Sequence, residues 1–127
     1  MSFEEDLFKQ LSDHPGLSLL MGSKIYPDYI PQTVEAPFVR YVEIYREKNH
    51  VYGGYNGTSI ISFQLSSYAV TREQVRRIAE QISLAMEAWP RANRKVGFAV
   101  QKNEVSTWLE ELNLFAMDMD FDVFYTD

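Results

Sequence analysis

The sequence contains no cysteine. Disulfide scaffolds, thiolate zinc sites and thiol catalysis are therefore excluded. Histidine is scarce: His14 precedes a Pro-Gly pair, His50 lies in a polar stretch, and nothing in the sequence brings the two together as a catalytic or metal pair. Positive charge is in the minority, with 12 Lys and Arg against 18 Asp and Glu. The resulting net charge of -6 argues against a nucleic-acid binder, because phosphate contacts need clustered cations. No apolar run is long enough to span a bilayer, and Glu4, Glu5 and Asp6 stand where a signal peptide carries basic residues. A soluble protein made in the cytoplasm, with no membrane partner, is expected. Collagen, heptad and solenoid repeats are missing as well.

What is present is enough apolar surface for a core. Hydrophobic residues make up 46% of 127 residues, which suits one domain spanning 1–127. Aromatic residues reach 14%, with 8 Tyr and 8 Phe. Phe63, Phe98, Phe115 and Phe121 fall on expected inward strand positions, whereas Tyr26, Tyr29, Tyr52 and Tyr55 fall in expected loops. The surplus outside the core is a candidate contact surface.

Periodicity orders the chain. Phe3, Leu7 and Leu11 form one stripe behind a Ser2/Glu5 capping box, which predicts a helix from Phe3 to about Ser12, ended by Asp13-His14-Pro15-Gly16. A short apolar turn or helix, Leu17–Met21, closes at Gly22. Lys24 to Pro37 is punctuated by Pro27, Pro31 and Pro37 and reads as irregular. Phe38–Arg46 and Thr58–Tyr68 read as strands, with Glu47–Gly57 as the turn or extended loop between them. Val75, Ile78, Ala79, Ile82, Ala85, Met86 and Trp89 give the clearest helix, Arg72–Trp89, opened by Thr71 and stopped by Pro90. Lys95–Gln101 reads as a short third strand, and Thr107 to Glu110 as a helical turn or a loop. The last strand, about Leu112 to Tyr125, alternates Phe115, Met117, Met119, Phe121, Val123 and Tyr125 with Asp118, Asp120 and Asp122. The expected fold is α+β: helix-strand-strand-helix-strand-strand, an antiparallel sheet of about four strands with both helices packed on it.

Candidate sites are weighed against this frame. Asp118, Asp120 and Asp122 place three carboxylates along one strand face at roughly 7 Å intervals. They lack the glycine turn and closing glutamate of a calcium loop, and a flat row does not flank a cleft as glycosidase carboxylates do. A solvated or interface-facing acidic stripe is the plainer reading, and no metal is expected. Gly53-Gly54 has no following Lys-Ser or Lys-Thr and is not a phosphate loop. With Tyr52, Tyr55 and Asn56 it forms either a structural turn or a candidate partner-contact loop. No Gly-x-Ser-x-Gly elbow occurs, so no enzyme and no cofactor are expected. Charge is segregated: Arg72, Arg76, Arg77, Arg91, Arg94 and Lys95 face only three acids between Thr71 and Lys95, whereas Glu104 to Asp127 holds seven acids and no base. Such asymmetry suits plain solvation, a subunit whose basic patch meets its neighbour's acidic patch in a head-to-tail ring, or a basic patch that binds DNA.

From Leu17 to Tyr41 the order of motifs is distinctive: Gly22, then Lys24-Ile25-Tyr26-Pro27, Ile30-Pro31-Gln32 and Ala36-Pro37-Phe38-Val39. With the strand and Arg72/Gln74-opened helix that follow, and the closing Met119-Asp120-Phe121-Asp122-Val123, the chain resembles the small tail-completion proteins of long-tailed bacteriophages and prophages. Two stretches depart from that pattern: Pro90-Arg91-Ala92-Asn93 replaces a Gly-rich turn, and Gln101–Leu112 is more acidic. The resemblance implies a tail-terminator-like structural virion protein without catalytic residues. It implies a ring, commonly a hexamer, at the head-proximal end of the tail, built from subunits that can be monomers when free. Such a ring contacts the tail tube protein and the head connector, and DNA passes through its channel without specific binding. The expected location is the host cytoplasm during assembly, then the virion tail. Asp118, Asp120 and Asp122, with Arg72, Arg76, Arg77, Arg91 and Arg94, become candidate channel or subunit-interface charges. A head-to-tail joining or stopper adaptor, and a protein-binding module unrelated to phage, remain the alternatives.

Overall fold

In the computed structural model the described residues are 2–22, 24–29, 35–51 and 54–126, with backbone alone described for 49–51, 55 and 56. The chain runs α1 (Phe3–Asp13), α2 (Pro15–Met21), β1 (Ile25–Pro27), β2 (Phe38–Val51), β3 (Gly54–Ala69), α3 (Arg72–Ala92), β4 (Val96–Leu109) and β5 (Leu114–Thr126). The strands form one sheet in the order β1-β2-β3-β5-β4. All neighbours are antiparallel except β1, which lies parallel to β2.

Helix starts follow their capping residues. Ser2 accepts from the Glu5 amide at 3.2 Å while Glu5 Oε1 accepts from the Ser2 amide at 3.4 Å, satisfying two end amides at once. Thr71 Oγ1 likewise accepts from the Gln74 amide at 3.2 Å. Gly22, at φ 66°, ends α2 in the left-handed region that costs glycine nothing.

The core lies on one face of the sheet. Phe3, Leu7 and Leu11 of α1, Leu17 and Met21 of α2, and Val75, Ile78, Ile82, Met86 and Trp89 of α3 pack on Val39, Tyr41, Ile61, Phe63, Leu65, Met119, Phe121, Val123 and Tyr125. Phe3 is the junction: its ring lies 5.6 Å from Phe63, 5.6 Å from Trp89 and 5.1 Å from Tyr125. The opposite face carries no helix among the described residues. Its apolar part is a small cluster of Phe38, Tyr68 and Ala116, joined by Tyr26, Leu109 and Leu114.

Several sequence expectations are corrected. The sheet has five strands and is mixed, not four and antiparallel; β1 sits within the stretch expected to be irregular and is too short to show a period. The expected Glu47–Gly57 loop is mostly strand, since β2 runs to Val51 and β3 starts at Gly54. The third strand reaches Leu109, where a helical turn or loop was one reading of Thr107–Glu110; the turn comes after it, with Asn113 at φ 53°. In both places Gly, charge and two-sided exposure erased the alternation that marks a half-buried strand. Pro90 does not stop α3 at Trp89. It sits in the final turn, where it gives up only the bond to the Met86 carbonyl, and the Asn93 amide still reaches the Trp89 carbonyl at 3.0 Å. Phe98 points outward and is 42% exposed. A register irregularity at Gly97 reverses the side-chain alternation there, and Phe98 stacks on outward-facing Phe124 at 5.3 Å.

Candidate functional site

The open sheet face is built from every second residue of four strands. Register puts Arg40, Ser66, Asp118 and Val105 in one row, Val42, Gln64, Asp120 and Asn103 in the next, and Tyr45, Ser62, Asp122 and Val100 in a third. The period of β5 that sends Met117, Met119, Phe121 and Val123 into the core sends the three aspartates to this face. All three are half-buried, and Asp120 and Asp122 are engaged. Ser62 Oγ donates to Asp122 Oδ1 at 2.5 Å, Gln64 Nε2 donates to Asp120 Oδ1 at 3.1 Å, and Lys102 Nζ lies 3.4 Å from Asp122 Oδ2. Two cations, Lys102 and Arg40, against three carboxylates still leave the face net negative. Among the described residues no cluster of three His, Asp or Glu side chains has a geometry that would hold a metal ion.

The arginines lie on the other side of the molecule. α3 covers the core face, and its outward side exposes Arg72, Arg76, Arg77 and Arg91, with Arg94 just beyond its end. Arg77 pairs with Glu73 one turn back at 2.5 Å, an exposed pair of small energetic weight. The Arg72 guanidinium lies 5.7 Å from the Phe115 ring centroid. The two charge groups singled out in the sequence are thus held on opposite faces of one sheet and cannot meet within a subunit.

Of the expected contact loop, Tyr52 and Gly53 lie outside the described residues. Gly54, at φ 123°, opens β3; Tyr55 and Asn56 follow within that strand, and His50 pairs with Tyr55 in register. Tyr29 is exposed, whereas Tyr26 is a half-buried residue of β1 packed against the Phe38 cluster and not a loop aromatic. His14 Nε2 lies 2.8 Å from Gln81 Oε1 and joins α2 to α3. Sequence periodicity missed the exposed apolar residues of β4, namely Phe98, Val100, Val105 and Trp108. Two-sided exposure of a long strand leaves no alternation to find.

A family model described as "Tail completion protein gp17" matches residues 5–126. The chain belongs to that family. A tail-completion protein is a structural part of the virion tail and not an enzyme. A search of curated proteins finds no match. Among solved structures, a chain described as "Virion of native gene transfer agent (GTA) particle" has the same fold, with a TM-score of 0.79 at 15% identity, covering 99% of this chain and 96% of that one. The tail-completion protein therefore shares its α+β architecture with a component of a particle assembled by a very different sequence.

Proposed function

We propose that this tail-completion protein acts as a single domain that closes into a ring at the head-proximal end of a long tail, ends tube polymerisation and docks the tail to the head connector. The observation that carries the reading is the opposed placement of charge: aspartates on the open sheet face, arginines on the outward face of α3. An acidic face turned inward and a basic face turned outward suit the wall of a channel, and a heterologous contact between neighbouring subunits that closes by rotation makes a ring, six-membered as the family resemblance implies. Free subunits are monomers in the host cytoplasm and are collected by the finished tube.

In this reading the open sheet face lines the channel. Asp118, Asp120 and Asp122 repel the passing DNA backbone and keep it from adhering, so DNA is a transient passenger and not a ligand. The connector and tube contacts fall at the two ends of the ring, with the β2–β3 hairpin, including Tyr52, Gly53, Gly54, Tyr55 and Asn56, as the reaching element.

Electron microscopy of particles made without this protein tests the reading. Overlong tubes are expected. Tubes of normal length that lack heads would instead identify a joining or stopper adaptor. Replacing Asp118, Asp120 and Asp122 with lysine tests the channel assignment: rings should still form while DNA is retained in them, and loss of rings without any DNA effect would place the row at a subunit contact.

A further inference from the structure

Both edges of the sheet are open, and they are open in compatible directions. β4 pairs with β5 on one side only, and residues Gln101–Trp108 are exposed along its whole length. It contains no proline, and its β-branched and aromatic side chains Val100, Val105 and Trp108 are about half exposed. Natural edge strands are usually kept short, covered or heavily charged, because a bare edge recruits another strand. Irregularities at Gly97 and Lys102 interrupt β4, but the run from Asn103 to Leu109 is regular. At the far edge, β1 covers β2 only from Val39 to Tyr41. Among the described residues nothing pairs with the outer side of Glu43–Glu47, where Ile44 is 54% and Tyr45 51% exposed.

We infer that the occupant of the β4 edge is a second copy of this chain, which adds its β2 edge, around Glu43–Glu47, as an antiparallel neighbour. The direction follows from topology. β2, β3, β5 and β4 are successively antiparallel, so β2 and β4 of one subunit run in opposite senses. Rotation about an axis roughly along the strands keeps every subunit upright and brings β4 beside a neighbour's β2 in antiparallel sense, the commoner and better hydrogen-bonded pairing. A β4-to-β4 contact would also be antiparallel, but it ends at a dimer and leaves both β2 edges bare. The heterologous contact uses one edge of each kind per subunit and leaves none when it closes. Side chains on the two edges, Val100 and Val105 against Ile44 and Tyr45, are of the β-branched and aromatic kinds that favour cross-strand pairs. The register depends on the tilt of the closed sheet.

The inference rests on the ring reading and fails separately from it. Hydrogen exchange of the wild-type protein, free and bound to tail tubes, is read at peptides covering residues 96–109 and 42–48, with ring formation followed by electron microscopy. Alternate amides in both peptides should exchange about tenfold more slowly or better once rings form. Rings with unchanged exchange at both edges overturn the edge pairing and leave the ring reading intact. Protection of β4 alone also overturns it, because the added strand then belongs to another protein or to a second β4. Absence of any ring overturns both. A direction test uses the cysteine-free background: Val100→Cys and Tyr45→Cys variants, mixed on tubes and treated with a short bismaleimide, should link to each other. Linkage of Val100→Cys chains only to themselves would overturn the heterologous pairing.

Discussion

The hydroxyl of Tyr125 donates a 2.5 Å hydrogen bond to Asp6 Oδ2, a buried link between the first helix and the last strand. A carboxylate that is only 6% exposed needs such donors, since removing one partner leaves the other group desolvated and short of a bond. Tyr125→Phe is expected to destabilise the subunit by about 1–3 kcal/mol in urea unfolding. Its ring packing on Phe3 should persist, so the near-ultraviolet dichroism of the folded state should change little.

Phe3→Ala removes a ring that touches α3, β3 and β5 together. A loss of about 3–5 kcal/mol is expected, at the large end for core truncations, because three rigid aromatic neighbours cannot collapse into the space. Denaturant unfolding measures it. Exchange of the α1 amides should accelerate more than that of β3.

Tyr41 gives a pH prediction. Its hydroxyl is buried without a hydrogen-bond partner among the described residues. Burial first, then the nearby Glu43 carboxylate, raises its pKa well above the usual tyrosine value. The unfolded chain releases this proton near pH 10 while the folded chain holds it, so stability is full below pH 10 and falls as pH rises beyond it. The wild-type unfolding free energy should therefore decline between pH 9 and 11 more steeply than that of Tyr41→Phe, by a slope of about one proton. Equal slopes would show that the Tyr41 proton is not held in the folded state.

Gly97 sits where a β-carbon would come within 2.8 Å of Phe124 Cδ1. Gly97→Ala should cost about 1–3 kcal/mol by displacing that ring, and should weaken the Phe98–Phe124 stack. Thermal unfolding measures the first effect, and the chemical shifts of the Phe98 ring protons report the second.

The elements that bury one face were legible in the sequence. The α1 and α3 stripes, the Ile61-Phe63-Leu65 alternation and the β5 alternation each follow a clean period, and each packs as the period requires. What stayed hidden has a common cause. β1 is only three residues long, β2 is exposed from Glu43 to Lys48, and β4 meets solvent on both sides, so none imposes a pattern on its residues. Phe98 shows the same limit: the sequence pattern places it inward, and a one-residue irregularity at Gly97 turns it outward. Of the candidate site, the aspartate row and the arginine face were visible as charge segregation. Their placement on opposite sides of one sheet needed the fold, because only the topology says which face of β5 looks away from α3.

The sheet order has a consequence for synthesis. β5, the last of the five strands in chain order, is inserted between β3 and β4 and carries much of the core. Until those final residues emerge, β3 has no partner on that side, β4 has no partner at all, and Phe63 lacks Phe121, 5.6 Å away in the finished core. Domains ordinarily gain structure from the N-terminus while translation proceeds at about 5–20 residues per second. Here the nascent polypeptide cannot present an assembled surface early. The core face closes only when β5 fills the gap between β3 and β4.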